Sequence, residues 1–306
     1  MPDELYGVVP NFSEGRRVDV IDAIVDALHV PGARVVFAEA DPDHNRLDTT
    51  VLGDADAVRA SAMAGVAVAV RLIDLREHRG NHPRMGAADV VPFMPVRDVS
   101  MEACVELARA FGRELADRLA LPVYLYDRAA LTPDRASLAE VRRGEYEGLR
   151  ESVARGERLP DFGPQEIGRR GATAVGARKP LIAFNVYLDG RDERAAKEMA
   201  RALRESGGGL PAVRAIGFAV PERGGVVTVS MNLVDHEVTG LRDAFDEVSR
   251  LAGRLGMSVT ESEIVGLVPA SAIEDDDPAA LRLVGFDPGR QVLERLVDDG
   301  SEENER

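Results

Sequence analysis

The sequence predicts a mixed α/β (α+β) fold of two ferredoxin-like βαββαβ subdomains, whose sheets form a double layer with helices on the outer surfaces. Short β-branched runs predict the strands, and apolar residues spaced three and four apart predict the helices. These elements occur twice in the same order, strand-helix-strand-strand-helix-strand. Such a unit leaves one face of its sheet open, so two units in one chain can cover each other.

Each half of the chain supplies one such unit, and the first half adds two elements. In the first half, strands are predicted at 5–9, 33–39, 47–53 and 88–96, helices at 17–29 and 54–73, and an additional helix at 100–119 and strand at 122–127. In the second half, strands are predicted at 180–188, 213–220, 225–232 and 258–265, with helices from an Asp189 or Asp192 cap to about 206 and at 238–255. The two halves share this order but no obvious residue identity.

Residues 128–179 are poor in strand pattern and rich in glycine, proline and arginine. The run "LAEVRRGEYEGLRESV" predicts a helix, and "LPDFGPQEIGRRGATAVGARKP" predicts a long irregular linker, either functional or a plain connection between domains. The predicted domains are therefore 1–179, including the linker at 150–179, then 180–273, and an acidic extension at 274–306 whose tail is expected to be disordered.

Composition indicates a cytoplasmic protein that binds neither nucleic acid nor membrane. The formal net charge of −15 argues against a nucleic-acid partner, which usually requires a basic face. No apolar run reaches the roughly 18 residues that a membrane span needs, and the N-terminus has no secretory pattern. The single cysteine, Cys104, falls in a helical pattern and is expected to be a buried structural thiol.

Two polar stretches follow predicted strands. "VVPNFSEGRR" (8–17) offers Asn11, Ser13 and Glu14 before a helix, which suits an anion-binding or ligand-binding loop, although Ser13 could simply cap the helix. "EADPDHNRLD" (39–48) forms a polar connection with Glu39, Asp41, His44 and Arg46, and is either part of a site or an exposed β-turn.

The stretch "REHRGNHPRMGAADVVPFMPV" (76–96) holds His78 and His82 among Arg76, Arg79 and Arg84. A fourth stretch, the linker, carries Arg169, Arg170, Arg178 and Lys179 among glycines. Two histidines four residues apart would share a helix face, but Gly80 and Pro83 prevent a regular helix here.

Two kinds of chemistry fit the histidines. Glu39, Asp41 and His44 could complete a zinc site, but broken spacing and crowding arginines oppose a cation, so no metal is expected. A histidine can instead accept and donate a proton near neutral pH, and neighbouring arginines favour its neutral form and hold carboxylates. The residues by themselves thus indicate a transferase or lyase acting on a carboxylated small molecule.

A set of motifs extends this interpretation. "VPNFSEG", "DHNR", "HRGNHPRMGAADVVPFMPV", "PVYLY", "RRGEYEGL", "PDFGP", "GATAVGARKPLIAFNV", "VSMNL" and "SEIVGLVP" resemble, in order, the glutamate formimidoyltransferase family, the formiminotransferase domain of formiminotransferase–cyclodeaminases. The resemblance runs from about Leu5 to Ile273, and the remaining chain is too short for a cyclodeaminase domain.

The resemblance implies an activity and partners. Members transfer the formimidoyl group from N-formimino-L-glutamate to the co-substrate tetrahydrofolate, giving 5-formimidoyltetrahydrofolate and L-glutamate in histidine degradation. A homodimer is implied, and a separate cyclodeaminase is a potential partner. Two alternatives stay open: a folate-dependent formyltransferase acting on N-formylglutamate, and a non-catalytic folate-binding module.

The resemblance also implies residue roles. The family's catalytic histidine falls on His82, and Glu39, where some relatives carry aspartate, or Asp41 is expected to assist it. The folate-contacting segment falls on Gly163, Pro164, Gln165, Glu166, Ile167, Gly168, Arg169, Arg170, Gly171 and Ala172. Further substrate or folate contacts are expected from Asn11, Ser13, Glu14, His44, Arg46, His78, Arg79, Arg84 and Arg178.

Overall fold

The chain folds as two units, each with its own sheet and its own apolar core. The computed structural model describes residues 4–220 and 223–298, and the chain divides into Met1–Arg178 (unit 1) and Lys179–Arg306 (unit 2). Both units contain strands and helices, which confirms the predicted α+β class.

Unit 1 has a seven-stranded mixed sheet. Its elements in chain order are β1 (Leu5–Val8), β2 (Asn11–Phe12), α1 (Val18–Leu28), β3 (Arg34–Asp41), β4 (Arg46–Gly53), α2 (Ala55–Leu72), β5 (Ala88–Arg97), α3 (Met101–Leu119), β6 (Val123–Asp127), α4 (Leu138–Val141), α5 (Glu145–Ala154) and β7 (Thr173–Ala177). β1 and β2 lie in line between β4 and β5 and pair antiparallel with both. β3 pairs with β4, which completes the predicted βαββαβ arrangement.

Unit 2 has a four-stranded antiparallel sheet in the order β11-β8-β10-β9. Its elements are β8 (Ile182–Leu188), α6 (Glu193–Leu203), β9 (Val213–Val220), β10 (Val226–Leu233), α7 (Leu241–Arg254), β11 (Val259–Val265), α8 (Pro288–Gln291) and α9 (Arg295–Asp298). Asp192 caps α6, because its Oδ1 accepts hydrogen bonds from the amides of Arg194 (2.9 Å) and Ala195 (3.3 Å). The order strand-helix-strand-strand-helix-strand from β8 to β11 confirms the predicted ferredoxin-like unit in this half.

Two predictions for residues 128–179, the irregular linker and the single helix before it, differ from the structure. Residues Thr173–Ala177 form β7, which lies between β5 and β6 and runs parallel to both. The predicted helix at 138–153 is broken into α4 and α5, because Gly144 (φ 78°) and Glu145 (φ 55°) both adopt left-handed backbone conformations. The sequence did not predict β7 because "TAVGA" has only two strand formers, Thr173 and Val175, among two alanines and a glycine, and its stability comes from two neighbouring strands.

Residues beyond β11 pack on unit 2. Leu281 and Val292 are buried in its core, and Val268 forms a bridge with Val292. The tail expected to be disordered, residues 299–306, lies outside the described residues. Across the described ranges, the helices are too short or too polar to span a bilayer.

The two faces of the unit 1 sheet differ in character. On one face Phe12 packs towards α2, where a Cβ added at Gly65 would lie 3.2 Å from its ring. Residues directly opposite each other in an antiparallel pair lie on the same face. The other face therefore carries the opposite pairs Asn11 and Asp48, Glu39 and Asp48, and Asp41 and Arg46. This polar face forms part of the candidate functional site.

Candidate functional site

Three irregular segments of unit 1 are tied together by main-chain contacts. The Ser13 hydroxyl donates to the Gly86 carbonyl (2.7 Å), and the Ser13 amide donates to the Ala87 carbonyl (2.9 Å). The Ala87 amide donates to the Arg170 carbonyl, and the Ala172 amide to the Met85 carbonyl, each at 2.9 Å. The loop after β2, the histidine loop (residues 73–87) and the end of the predicted folate segment are therefore neighbours.

Asn45 joins the turn between β3 and β4 to two of these segments. It is buried and has a left-handed backbone (φ 52°), which asparagine tolerates better than most residues. Its Oδ1 accepts from the Gly15 amide (2.9 Å), and its Nδ2 donates to the Arg79 carbonyl (2.9 Å). Its own carbonyl lies 3.0 Å from His78 Nε2. One side chain thus fixes three loops.

We expect Gly80→Ala to loosen this arrangement. A Cβ at Gly80 would lie 2.2 Å from the His44 carbonyl oxygen, so the histidine loop must move away from the turn. Gly148→Ala is the matched control, because the same methyl in α5 meets open space and improves helix propensity. Urea unfolding should give a loss of about 1–3 kcal/mol for Gly80→Ala and a neutral or slightly stabilising effect for Gly148→Ala. Equal stability of the two variants would contradict this.

His78 is a structural residue of the loop. It is buried, its Nε2 donates to the Asn45 carbonyl, and its Nδ1 accepts from Arg84 Nε (3.3 Å); these partners assign its tautomer. Burial lowers its pKa, which keeps the ring neutral. Arg84 also binds Glu147 through two nitrogens (2.8 and 2.7 Å) and Glu145 (2.8 Å). Both side chains therefore anchor the loop to α5 and to the turn.

His82 is the half-buried histidine whose second nitrogen is left for chemistry. Its Nδ1 lies 2.7 Å from the Pro83 carbonyl, so Nδ1 carries the proton and Nε2 presents a lone pair. Burial, followed by the charges of Arg46 and Arg142, lowers the pKa of His82 to about 4. The imidazole is therefore neutral at physiological pH and able to accept a proton.

Asp89 holds both of those arginines. Its carboxylate is fully buried and accepts from Arg46 Nη1 (2.7 Å), from the Met85 amide (2.7 Å) and from Arg142 Nη2. Burial raises its pKa, but the two guanidinium groups outweigh burial and hold the pKa below its ordinary value. Arg46 also donates to Asn11 Oδ1 (3.0 Å) and to Asp48 (3.3 Å). A fixed ionic network thus lies beside His82.

We expect Arg142→Gln to raise the pKa of His82 from about 4 towards its ordinary 6.5, because one of the two cations that oppose protonation is removed. Without the substitution, the unfolded chain takes up a proton on His82 near pH 6.5, whereas the ring in the folded chain stays neutral until about pH 4. The free energy of unfolding should therefore fall as the pH drops from 6.5 towards 4. NMR titration measures the midpoint of the His82 ring in the native protein and in Arg142→Gln, with the ring signals assigned by comparison with His82→Asn. An unchanged midpoint would contradict the assigned cause.

His44 lies on the other side of His82. The ring centroids are 6.2 Å apart in an edge-to-face arrangement, and His44 Nδ1 lies 2.5 Å from Asp41 Oδ2. The two carboxylates expected to assist His82 have other positions: Asp41 pairs with His44, and Glu39 is exposed on β3 without a hydrogen bond or ion pair to the described residues.

Other predicted residues divide into anchoring and exposed groups. The Glu14 carboxylate accepts from the amides of Arg16 and Arg17 (3.0 and 2.9 Å) and so fixes the turn before α1, which has no side-chain cap at its N-terminus, from Ser13 or from another residue. Arg170 donates to the Leu119 and Ala120 carbonyls, and Arg178 lies at the end of β7 with partners of its own. Residues 163–166, 168 and 169 are exposed, as is Arg79, whereas Ile167, Gly171 and Ala172 are buried.

His78 is not placed to bind a metal ion. Both His78 nitrogens already have protein partners. Among the described residues, no group of three or more histidine, cysteine or carboxylate side chains could hold a metal ion. Cys104 is free and buried, and burial raises its pKa to about 12, as expected of a structural thiol.

Sequence reasoning missed Asn45, Asp89 and Arg142. Asn45 stands inside the "DHNR" motif, and its role depends on a left-handed conformation that sequence does not display. Asp89 offered a signal, since it is a lone carboxylate within the apolar run "AADVVPF". A buried charge requires a partner, so this residue predicted a buried cation without identifying it. Nothing in the sequence placed Arg142, 53 residues away, against it.

Unit 1, a ferredoxin-like unit, places a neutral histidine among arginines, the groups that proton transfer on an anionic molecule requires. Residues 5–178 match the family described as formiminotransferase domain, N-terminal subdomain, and residues 183–277 match the formiminotransferase domain. The chain belongs to the formiminotransferase family, as its motifs predicted.

Relatives of known name agree along the length of the chain. Glutamate formimidoyltransferase of Thermoplasma acidophilum is 43% identical over 96% of this chain and 97% of its own length. Glutamate formimidoyltransferase of Streptococcus pyogenes serotype M1 is 39% identical over 94% of this chain and 96% of its own. Formimidoyltransferase-cyclodeaminase of Mus musculus is 42% identical over 98% of this chain but only 61% of its own length.

Proposed function

We propose that this enzyme is a glutamate formimidoyltransferase that moves the formimidoyl group of N-formimino-L-glutamate to tetrahydrofolate, with His82 as the base. Similarity to two glutamate formimidoyltransferases along nearly their whole lengths supports the reaction. One geometric observation supports the base: the neutral ring of His82 donates through Nδ1 to a carbonyl and keeps the Nε2 lone pair.

The reaction requires movement of two protons. N5 of tetrahydrofolate attacks the formimidoyl carbon, and its proton passes to His82 Nε2 as the tetrahedral intermediate forms. A second proton must reach the glutamate nitrogen before the carbon–nitrogen bond breaks. General-base assistance of this kind contributes about 10²–10⁴-fold to rate, and holding both substrates in place contributes further.

Local charge in the site favours anionic substrates despite the negative protein. Asp89 and Asp48 pair with these arginines, but at the His82 ring the charges of Arg46 and Arg142 act more strongly than that of Asp89, so the immediate surroundings of the ring are positive. A local field of this sign attracts and orients carboxylates. We assign folate contacts to the exposed part of 163–172 and donor contacts to the polar sheet face with Asn11, Arg46 and Glu39.

Further assignments follow from the same proposal. The name of the mouse relative includes a cyclodeaminase, so we propose that a cyclodeaminase acts on the product of this enzyme in histidine degradation. We also propose a cytoplasmic homodimer. A free buried cysteine suits a reducing compartment, and sedimentation analysis of the purified protein tests the dimer.

The test is to mix purified protein with tetrahydrofolate and either N-formimino-L-glutamate or N-formyl-L-glutamate, and to identify the folate product by absorbance and mass. 5-Formimidoyltetrahydrofolate from the first mixture is the expected result. Product only from the second mixture would make the enzyme a formyltransferase. Binding of tetrahydrofolate without product from either donor would indicate a non-catalytic folate-binding protein.

A further inference from the structure

His44 and His82 are neighbouring imidazoles with opposite electrostatic surroundings. His82 is half-buried and lies near the guanidinium groups of Arg46 and Arg142, which oppose its protonation. His44, with its side chain 53% exposed, lies 2.5 Å from the Asp41 carboxylate. Two imidazoles this close, one facing guanidinium groups and the other a carboxylate, are placed to act as a base and an acid.

The Asp41–His44 contact is more than a consequence of the turn. Oδ1 of Asp41 accepts from the amides of Asp43 (2.8 Å) and His44 (2.9 Å), and this oxygen alone closes the turn. Oδ2, the other oxygen, binds the ring of His44. The hydrogen bond from the His44 amide, together with the one from the His44 ring, holds the pKa of Asp41 below its ordinary value. The carboxylate therefore stays ionised.

The ring of His44 is also directed by this contact. With Nδ1 donating to Asp41, the remaining nitrogen Nε2 has no hydrogen-bond partner among residues 4–220 and 223–298. The 6.2 Å separation of the ring centroids allows each ring to reach one of two nitrogens bonded to the same carbon. The charged or titratable groups at this turn include Asp41, Asp43, His82, Arg16, which binds the Pro42 carbonyl, and Arg46, which lies opposite Asp41 in the β3–β4 pairing.

We propose that His44 is a second catalytic residue, the general acid that protonates the departing glutamate nitrogen, and that Asp41 is the residue that positions it. This inference rests on the proposed function, and it separates two roles that a single histidine would otherwise share. It also explains why Asp41 contacts His44 instead of His82.

The step balances with two imidazoles. N5 forms a bond to the formimidoyl carbon, its proton passes to His82, and the electron pair of the C=N bond moves to the imino nitrogen, which takes a proton from solvent. On collapse, that nitrogen returns this proton to solvent and re-forms the C=N bond, while the bond to the glutamate nitrogen breaks. The released electron pair takes the proton of His44 Nε2. Proton exchange with solvent then restores both rings.

Kinetics of three variants test the assignment. Asn at position 44 can still donate to Asp41 but lacks Nε2, so His44→Asn should lower kcat by about 10²–10³-fold with KM changed only a few-fold. Asp41→Asn keeps Oδ1 for the turn and removes the charge, so we expect an intermediate loss in kcat. His29→Asn, at the exposed end of α1, is the control and should behave like the wild type.

Chemical rescue distinguishes an acid from a structural residue. Added imidazole should restore much of the kcat of His44→Gly, because the position is half exposed, and should not affect His29→Gly. Lost kcat without rescue, or a rise in KM with kcat retained, would overturn the acid role of His44. Absence of 5-formimidoyltetrahydrofolate from the wild type would instead reject the proposed function on which this inference rests.

Discussion

Replacing His82 with asparagine is expected to lower kcat/KM for formimidoyl transfer by about 10²–10⁴-fold while the protein stays folded. Asparagine Nδ2 can donate to the Pro83 carbonyl as the ring Nδ1 does, but it offers nothing in place of the Nε2 lone pair. The substitution therefore removes the base and keeps its local anchor. Equilibrium binding of tetrahydrofolate should change little.

The effect is measured by initial rates of 5-formimidoyltetrahydrofolate formation at saturating tetrahydrofolate, with circular dichroism and thermal unfolding as checks of folding. His78→Asn is an informative comparison, because His78 holds the loop through Asn45 and Arg84. Its variant should lose thermal stability as well as rate. A folded His82→Asn enzyme with nearly full activity would show that the base is another group.

Replacing Asp89 with asparagine is expected to be the most destabilising single change near the site, at about 3–5 kcal/mol of unfolding free energy. The carboxylate is fully buried, and its loss leaves Arg46 and Arg142 close together without their shared counter-ion. The Met85 amide also loses its charged acceptor. Both arginines and the start of β5 should be disturbed together.

Asp48→Asn provides the matched control, since Asp48 also binds Arg46 but its side chain is 54% exposed. An exposed ion pair of this kind is worth less than about 1 kcal/mol. Urea unfolding of the two variants at pH 7.5 should therefore separate them by several-fold in free energy. Similar losses for both would mean that the Asp89 network contributes little beyond a surface contact.

Some features of the site were readable from residue type and spacing. Gly80 and Pro83 predicted that His78 and His82 lie on an irregular loop, and the surrounding arginines predicted a neutral imidazole. The structure adds which histidine has a free nitrogen. Asn45 and Arg84 occupy both nitrogens of His78, whereas Pro83 occupies only one nitrogen of His82. The contacts of His78 with Asn45 and Arg84 form only when the chain folds.

The strand β7 illustrates a different limit. Its residues, "TAVGA", lack the runs of β-branched and aromatic side chains that make β8 and β10 recognisable, and one of them is a glycine. It forms because β5 and β6 lie on either side and complete its hydrogen bonds. Propensity is a local quantity, whereas pairing of parallel strands depends on segments far apart in the chain.

By itself, the sequence determined the α+β class, the repeated βαββαβ order, the family and the histidine loop, because periodicity and motifs are properties of neighbouring residues. Only the tertiary structure decided that Asp89 joins Arg46 to Arg142, that Asn45 fixes three loops, and that Asp41 pairs with His44. The Asp89 and Asn45 contacts join residues 30 to 53 positions apart. Their energies depend on burial and on the geometry of approach, which the folded chain alone defines.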